Sequence, residues 1–123
     1  MAVLRAERYL TRKAEFALVY DNGASWSNKT LVLRAVPNGL ELSRYGFTVS
    51  RRVGNAVVRN RVKRLLREIL RQKTVKKGWD MVFIARIPAA RGNYAELEES
   101  VGSLLHRAGL VVGGHEENRL GVN

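Results

Sequence analysis

The stretch RRVGNAVVRNRVKR, residues 51–64, marks the passage from a strand into a long helix. Gly54 interrupts the preceding pattern, and Asn55 is a suitable N-cap because its side chain can accept a hydrogen bond from a free first-turn amide. Apolar residues then recur at helical spacing as far as about Lys73. These apolar residues are Val58, Val62, Leu65, Leu66, Ile69 and Leu70. The pattern predicts an amphipathic helix over residues 55–73.

The opposite face of this helix is almost purely cationic. It comprises Asn60, Arg61, Lys63, Arg64, Arg67 and Arg71. Exposed helices normally mix charges of both signs and gain ion pairs one turn apart, yet Glu68 is the single acid between residues 51 and 77. Arginine offers forked donors that match phosphate oxygens. A bound polyanion therefore explains this face better than solvation alone does.

The charge of the whole chain supports the same partner class. Lysine and arginine outnumber aspartate and glutamate by 22 to 11 in 123 residues, and half of the basic residues lie between residues 51 and 77. Such a concentrated excess favours nucleic acid. The chain has no cysteine, which excludes disulfides, a thiol nucleophile and cysteine-based zinc sites.

A second helix is predicted near the N-terminus, over residues 11–22, with Thr11 as its cap and Gly23 at its exit. Ala14 and Leu18 fall on one side, which we assign to the core. The other side combines cations with aromatic rings: Arg12, Lys13, Phe16, Val19 and Tyr20. Aromatic rings beside cations suit unpaired bases. Simple core packing of the two rings is an equally good explanation on helix geometry alone.

The remaining elements complete an α+β pattern. Alternation and turn signals predict strands at 30–36, 40–43, 45–51 and 79–87, and a capped helix over 94–108. This order of elements predicts an α/β sandwich with one small sheet and three helices. We expect a single domain over residues 1–110 and a flexible tail over residues 111–123.

The sequence contains no recognisable catalytic motif and no recognisable membrane-spanning segment. There is no phosphate-binding glycine loop and no nucleophile motif. His106 and His115 are the only histidines, too few for a protein metal site. No apolar run approaches the ~20 residues that cross a bilayer. We expect a cytoplasmic, RNA-binding protein with no catalytic or metal site of its own.

The run from Phe47 to Leu66 resembles the signature of the bacterial ribonuclease P protein family. The matching residues are the Arg-Asn-Arg motif at 59–61 and Val-Gly-Asn-Ala-Val-Val at 53–58. Phe-x-x-Val-x-x-x-Gly at 16–23 and Ile-Ala-Arg-x-Pro-Ala at 84–89 also fit the family. The resemblance covers roughly residues 5–108.

This resemblance implies more than the patterns do. It implies a fold like domain 2 of ribosomal protein S5, with a left-handed βαβ crossover. It implies a protein subunit of a ribonucleoprotein endonuclease that removes the 5′ leader from precursor tRNA. The RNA would be the catalyst and would hold most of the Mg²⁺. No obligate protein partner and no membrane are expected.

The resemblance also assigns candidate RNA contacts. Contacts to the catalytic RNA would come from Arg59, Asn60, Arg61, Lys63, Arg64 and Arg67. Contacts to the precursor tRNA leader would come from Arg12, Lys13, Phe16, Tyr20, Arg34, Thr48, Ser50 and Arg52. Arg34 stands where relatives usually carry an aromatic residue, so contact there would shift from base stacking towards phosphate.

Three other interpretations compete with this one. A ribosomal or RNA-chaperone protein would share the charge, but the context of the Arg-Asn-Arg motif argues against it. A membrane-surface protein would use the amphipathic helix 55–73, which carries no aromatic anchors. A protein-only nuclease would require RNA cleavage by the protein alone.

Overall fold

The computed structural model describes residues 8–112 and contains helices and strands in the predicted order. The elements are α1 (Lys13–Asn22), β1 (Ala24–Ser27), β2 (Leu31–Pro37), β3 (Arg44–Thr48), α2 (Ala56–Arg71), β4 (Trp79–Ala85), a 3-10 helix (Ile87–Arg91) and α3 (Tyr94–Arg107). The predicted α+β class with three helices and one small sheet is confirmed.

The four strands form one mixed sheet in the order β1-β2-β4-β3. β4 pairs antiparallel with β2 and parallel with β3, so it is an inner strand between neighbours that precede it in the chain. Its residues from Asp80 to Phe83 are buried, as expected for a strand covered on both faces. α2 connects the parallel pair β3 and β4; the hand of this crossover stays a prediction.

Helices cover the two faces of the sheet unequally. α2 and α3 lie over one face and bury the main core with Leu33, Met81 and Phe83. α1 lies alone on the other face, where a small apolar cluster joins Val19 to Val82. The single short helix leaves part of this second face open, and that open part includes the outer strands.

Helix α2 forms as predicted. The Asn55 side chain accepts a hydrogen bond from the Val58 amide at 3.0 Å, which satisfies one of the free donors of the first turn. The apolar residues Val62, Leu66 and Ile69 are fully buried in the core. The membrane-surface interpretation requires this face to be exposed, so it loses its binding surface.

The N-terminal helix differs from the prediction. Arg12, and not Thr11, occupies the N-cap position, and the predicted core side is reversed. Leu18 is 60% exposed and Ala14 is exposed, whereas Val19 is fully buried. Both sides of this helix carry apolar residues, so the pattern could not show which side faces the sheet.

Two further differences concern short strands. β1, at Ala24–Ser27, was not predicted because four residues with one large apolar side chain give little alternation. The predicted strand at 40–43 is a bend, since the Asn38 side chain accepts from the Leu40 amide at 2.7 Å and turns the chain. β3 ends at Thr48, three residues before the predicted end.

The C-terminal helix α3 agrees closely with the helix predicted over residues 94–108. Asn93 and Glu96 form a capping box at the start of α3, where a capped helix is predicted, and Gly109 follows the helix with a positive φ of 73°. The Val112 amide donates to Thr74 O at 3.2 Å, so contacts with the domain extend past the predicted boundary at residue 110. The rest of the predicted tail, residues 113–123, lies outside the described residues.

Candidate nucleic-acid interface

The Arg-Asn-Arg motif lies on the first two turns of α2, and its three residues differ in their contacts. Arg59 Nε donates to Gly54 O at 3.2 Å, and Arg61 Nη2 donates to Gly92 O at 2.9 Å. Asn60 is exposed between them. Backbone carbonyls on both flanks therefore hold the two guanidinium groups in place, while each keeps further N–H donors.

The remaining cations of this helix follow at helical spacing. Arg64 is exposed, and Lys63 and Arg67 are half-buried. The three ion pairs among residues 8–112 are Arg44–Glu15, Arg44–Asp80 and Lys73–Glu98. None of these pairs uses a cation of the predicted catalytic-RNA surface. Its binding to an external anion stays a prediction.

The open part of the sheet lies beside the C-terminal half of α1. A row of neighbouring residues crosses all four strands there: Thr48, Ile84, Val32 and Ser27. The Tyr20 hydroxyl is 2.6 Å from Thr48 Oγ1, and the Tyr20 side chain remains 36% exposed. An aromatic ring is thus fixed at the border of a surface with hydroxyl and apolar groups.

Phe16 lies one turn earlier and is held more tightly. A Cβ atom on Gly46 would lie 2.5 Å from Phe16 Cε2, so the ring rests directly on the β3 backbone. Phe16 also packs against the cluster of Leu10, Val19 and Val82. The core-packing interpretation therefore describes much of Phe16, whereas Tyr20 offers the more accessible ring.

Arg34 has a contact that the sequence did not indicate. Its Nη2 atom donates to Tyr20 O at 2.6 Å and to Gly23 O at 3.0 Å. These carbonyls lie at the C-terminal end of α1, where the helix dipole favours a cation. Arg34 Nε is buried without a hydrogen-bond partner. The side chain thus fixes the end of α1 against β2, beside the open sheet face.

A second arginine fixes the opposite end of α1. Arg44 donates to both oxygens of the buried Asp80 at 2.9 and 2.8 Å and to Glu15 Oε2 at 3.1 Å. The hydrogen bond to Asp80 is the main cause that raises the pKa of Arg44. Backbone amides of Arg12 and Thr11 lower the pKa of Glu15. The spacing of Glu15, Arg44 and Asp80 in the sequence gives no sign of this network.

The predicted leader contacts do not form one cluster. α1 runs along β3 in the same direction, because Glu15 contacts Arg44 and Tyr20 contacts Thr48. Arg12 and Lys13 therefore lie near the start of β3. Ser50 and Arg52 are exposed beyond its end. Tyr20, Thr48, Ser50 and Arg52 consequently lie towards one end of the open face, close to the start of α2.

Within residues 8–112, no three potential metal-ligating side chains lie together, and no helix is long and apolar enough to cross a membrane.

A family model described as Ribonuclease P matches residues 4–109. The chain belongs to the ribonuclease P family. It is the protein subunit of a ribonuclease P, which acts with its RNA as a ribonucleoprotein in tRNA 5′ processing.

Individual relatives agree with this membership of the ribonuclease P family. The chain is 49% identical over 108 residues to the ribonuclease P protein component of Dehalococcoides mccartyi, covering 88% of this chain and 90% of that protein. The component from Clostridium botulinum is 42% identical over 123 residues, covering 93% of this chain and 97% of that protein.

Solved structures show the same ribonuclease P protein fold. The RNase P protein of Staphylococcus aureus matches with a TM-score of 0.78 and 29% identity, covering 85% of this chain and 98% of that one. The Thermotoga maritima protein matches with a TM-score of 0.75, 32% identity and the same two coverages. The family resemblance predicted from residues 16–23, 47–66 and 84–89 is confirmed.

Proposed function

We propose that this subunit binds the catalytic RNA through α2 and the 5′ leader of precursor tRNA through the open sheet face. The observation that carries the proposal is the closeness of the two surfaces. β3 ends at Thr48, beside Tyr20, and α2 begins eight residues later at Ala56. One short junction can therefore hold both RNAs near each other.

The catalytic-RNA surface comprises Arg59, Asn60, Arg61, Lys63, Arg64 and Arg67. Each phosphate that these residues neutralise releases condensed counterions, so assembly should weaken steeply as salt rises. The exposed Asn60 can donate and accept hydrogen bonds, which suits a base edge or a 2′-hydroxyl. The helix thus supplies charge along its length and a polar group between two fixed arginines.

The leader surface combines Tyr20 and Phe16 with Thr48, Ser50 and nearby cations. Stacking of unpaired bases on aromatic rings is tolerant of sequence, so we expect binding of a few leader nucleotides with little base preference. Arg52 and Arg34 would hold phosphates at the end of this surface, and Arg12 and Lys13 would act at the start of α1. The protein would thereby favour precursor over mature tRNA.

Magnesium enters the proposal as an ion held mainly by the RNA. The Asp80 carboxylate accepts hydrogen bonds from Arg44 and Asn38, and Glu15 is engaged by Arg44 and two backbone amides. These oxygen donors do not fit a magnesium site. We propose that the RNA performs the catalytic step and that the subunit acts in the cytoplasm.

Cleavage of a precursor tRNA at low magnesium tests the proposal. A bacterial ribonuclease P RNA is assayed alone, with the protein, and with an Asn60→Ala/Arg64→Ala variant. Both side chains are exposed and make no hydrogen bond or ion pair among the described residues, so the variant should fold normally. We expect the protein to restore correct 5′ cleavage and the variant to lose most of this effect.

A Lys77→Ala variant is the matched control, because Lys77 is exposed in the loop between α2 and β4. It should restore cleavage as the unmodified protein does. A folded protein that restores cleavage equally for precursor tRNAs with a very short and with a longer 5′ leader would argue for general RNA binding and against leader recognition.

A further inference from the structure

A groove of about 380 Å³ lies at the outer edge of β3, between α1 and α2. Its wall includes Tyr9, Phe16, Tyr45, Phe47, Lys63 and Arg67. β3 is the last strand of the sheet, and the Leu10 amide donates to Tyr45 O at 2.8 Å on this edge. The groove therefore runs round a sheet edge from the aromatic side of α1 to the cationic side of α2.

The aromatic part of the groove is anchored in the core. The rings of Tyr9 and Phe47 are 6.1 Å apart and inclined at 52°, and Phe47 stacks on the buried Phe83 at 6.4 Å. Burial raises the pKa of Tyr45 to about 12, so its hydroxyl is neutral at ordinary pH. The groove thus has a preformed, uncharged aromatic floor.

The cationic part faces the same space. Arg67 Cζ lies 5.9 Å from the centre of the Phe47 ring, and Lys63 is one turn earlier on α2. Both side chains are half-buried, and neither forms an ion pair within residues 8–112. Opposite charges attract each other more strongly where water is partly excluded. An anionic group next to the aromatic floor would therefore pair favourably with both cations.

The groove is continuous with the exposed face of α2. Lys63 is three residues after Asn60, and Arg67 is three residues after Arg64, so each pair shares one side of the helix. Phe16 separates the groove from the row of Thr48 and Ile84 on the open sheet face, since its ring rests on Gly46. An RNA strand lying on α2 reaches the groove more directly than a leader on the sheet does.

We propose that this groove takes one unpaired nucleotide of the catalytic RNA, with its base on Tyr9 and Phe47 and its phosphate on Lys63 and Arg67. This inference rests on the proposed function of α2. It adds recognition of an unpaired base to the neutralisation of phosphates, because a duplex presents no free base face to such a groove. The volume lies within the ~300–1,000 Å³ range of sites for single small molecules.

The test separates stacking from charge. Equilibrium binding of the protein to a bacterial ribonuclease P RNA is measured over a range of salt concentrations. Lys63→Gln and Arg67→Gln should each weaken binding and lower the logarithmic salt slope by roughly 1. Tyr9→Leu should weaken binding by roughly 5- to 100-fold and leave the slope unchanged.

Matched controls lie outside the groove. Lys77→Gln removes an exposed charge, and Tyr94→Leu removes a half-buried ring at the start of α3. Each variant's fold is checked by urea denaturation, and affinities are compared among folded samples. Groove variants that bind the catalytic RNA no more weakly than these controls would overturn the inference.

Two further outcomes have separate meanings. If assembly is unchanged but the groove variants weaken binding of precursor tRNA with a long leader, the groove takes the leader and the inference is wrong. If the unmodified protein does not bind the catalytic RNA at all, the proposed function itself fails, and the inference falls with it.

Discussion

The Tyr20 hydroxyl and Thr48 Oγ1 are 2.6 Å apart and join α1 to β3 across 28 positions of the chain. This contact holds an aromatic ring at the point where the open sheet face approaches α2. The Arg34 guanidinium bonds to Tyr20 O on the same turn of α1. Both the side chain and the backbone of Tyr20 are therefore fixed, so stacking of a base on the ring would require little further ordering.

Two substitutions of Tyr20 should have different effects. Tyr20→Phe keeps the ring and loses the hydroxyl contact, so we expect a loss of about 0.5–1.5 kcal/mol in unfolding free energy. Leader affinity should change little. Tyr20→Ala should also weaken leader binding by about 1–3 kcal/mol. Holoenzyme affinities for precursor and mature tRNA measure this difference; equal affinities for the two variants would contradict a stacking role.

Gly46 should tolerate no side chain. An alanine Cβ there would collide with the Phe16 ring, so Gly46→Ala should destabilise the domain by about 1–3 kcal/mol. Gly102→Ala is the control, because its Cβ would meet only Lys73 Nζ at 3.9 Å on a regular helix. That change should stabilise by about 0.4–1 kcal/mol. Urea denaturation of both variants should give opposite signs.

Arg61 and Arg64 should separate folding from RNA binding. Arg61→Ala removes the hydrogen bond to Gly92 O, a charged donor, and should cost about 1.5–3 kcal/mol of stability before any effect on RNA. Arg64→Ala should leave stability within about 0.5 kcal/mol, since its side chain is exposed. Denaturation curves measure both; an equal loss of stability would show that the Gly92 contact contributes nothing.

Glu15 should give the domain part of its acid sensitivity. Its pKa is lowered by hydrogen bonds from the Arg12 and Thr11 amides, with a smaller contribution from Arg44. A lowered pKa stabilises the folded state above the unfolded value of 4.5, and this stabilisation is lost as pH falls through the lower, folded value. Glu15→Gln should therefore reduce stability at pH 7 and flatten its fall below about pH 4.5. An unchanged pH profile would exclude this role.

Patterns among residues close together in the chain were sufficient to predict the two long helices and the inner strand. The caps at Asn55 and Asn93 and the one-sided apolar pattern of α2 predicted both long helices close to their observed bounds. The strand predicted at 79–87 formed as β4, and the apolar run from Met81 to Ala85 is buried in most of its length. Each of these features depends on residues within a few positions of one another.

The remaining features depend on pairs that are distant in the chain. The side of α1 that faces the sheet depends on residues such as Gly46, where the absence of a side chain admits Phe16. The Arg44–Asp80 pair joins residues 36 positions apart, and no local pattern reveals it. The cationic face of α2 was predictable because it depends only on helical spacing within the chain. The groove beside Lys63 was not predictable, because it depends on where β3 lies relative to α2.

The place of β4 between β2 and β3 also determines when the domain can fold. A chain growing from its N-terminus completes β1, β2, β3 and α2 before it reaches Trp79. Until β4 is made, the two halves of the sheet have no strand to join them, and α2 has no complete surface to cover its apolar side. A strongly basic amphipathic helix is thus synthesised before its fold can form, and the later elements Trp79–Ala85 and Tyr94–Arg107 complete the sheet and supply α3.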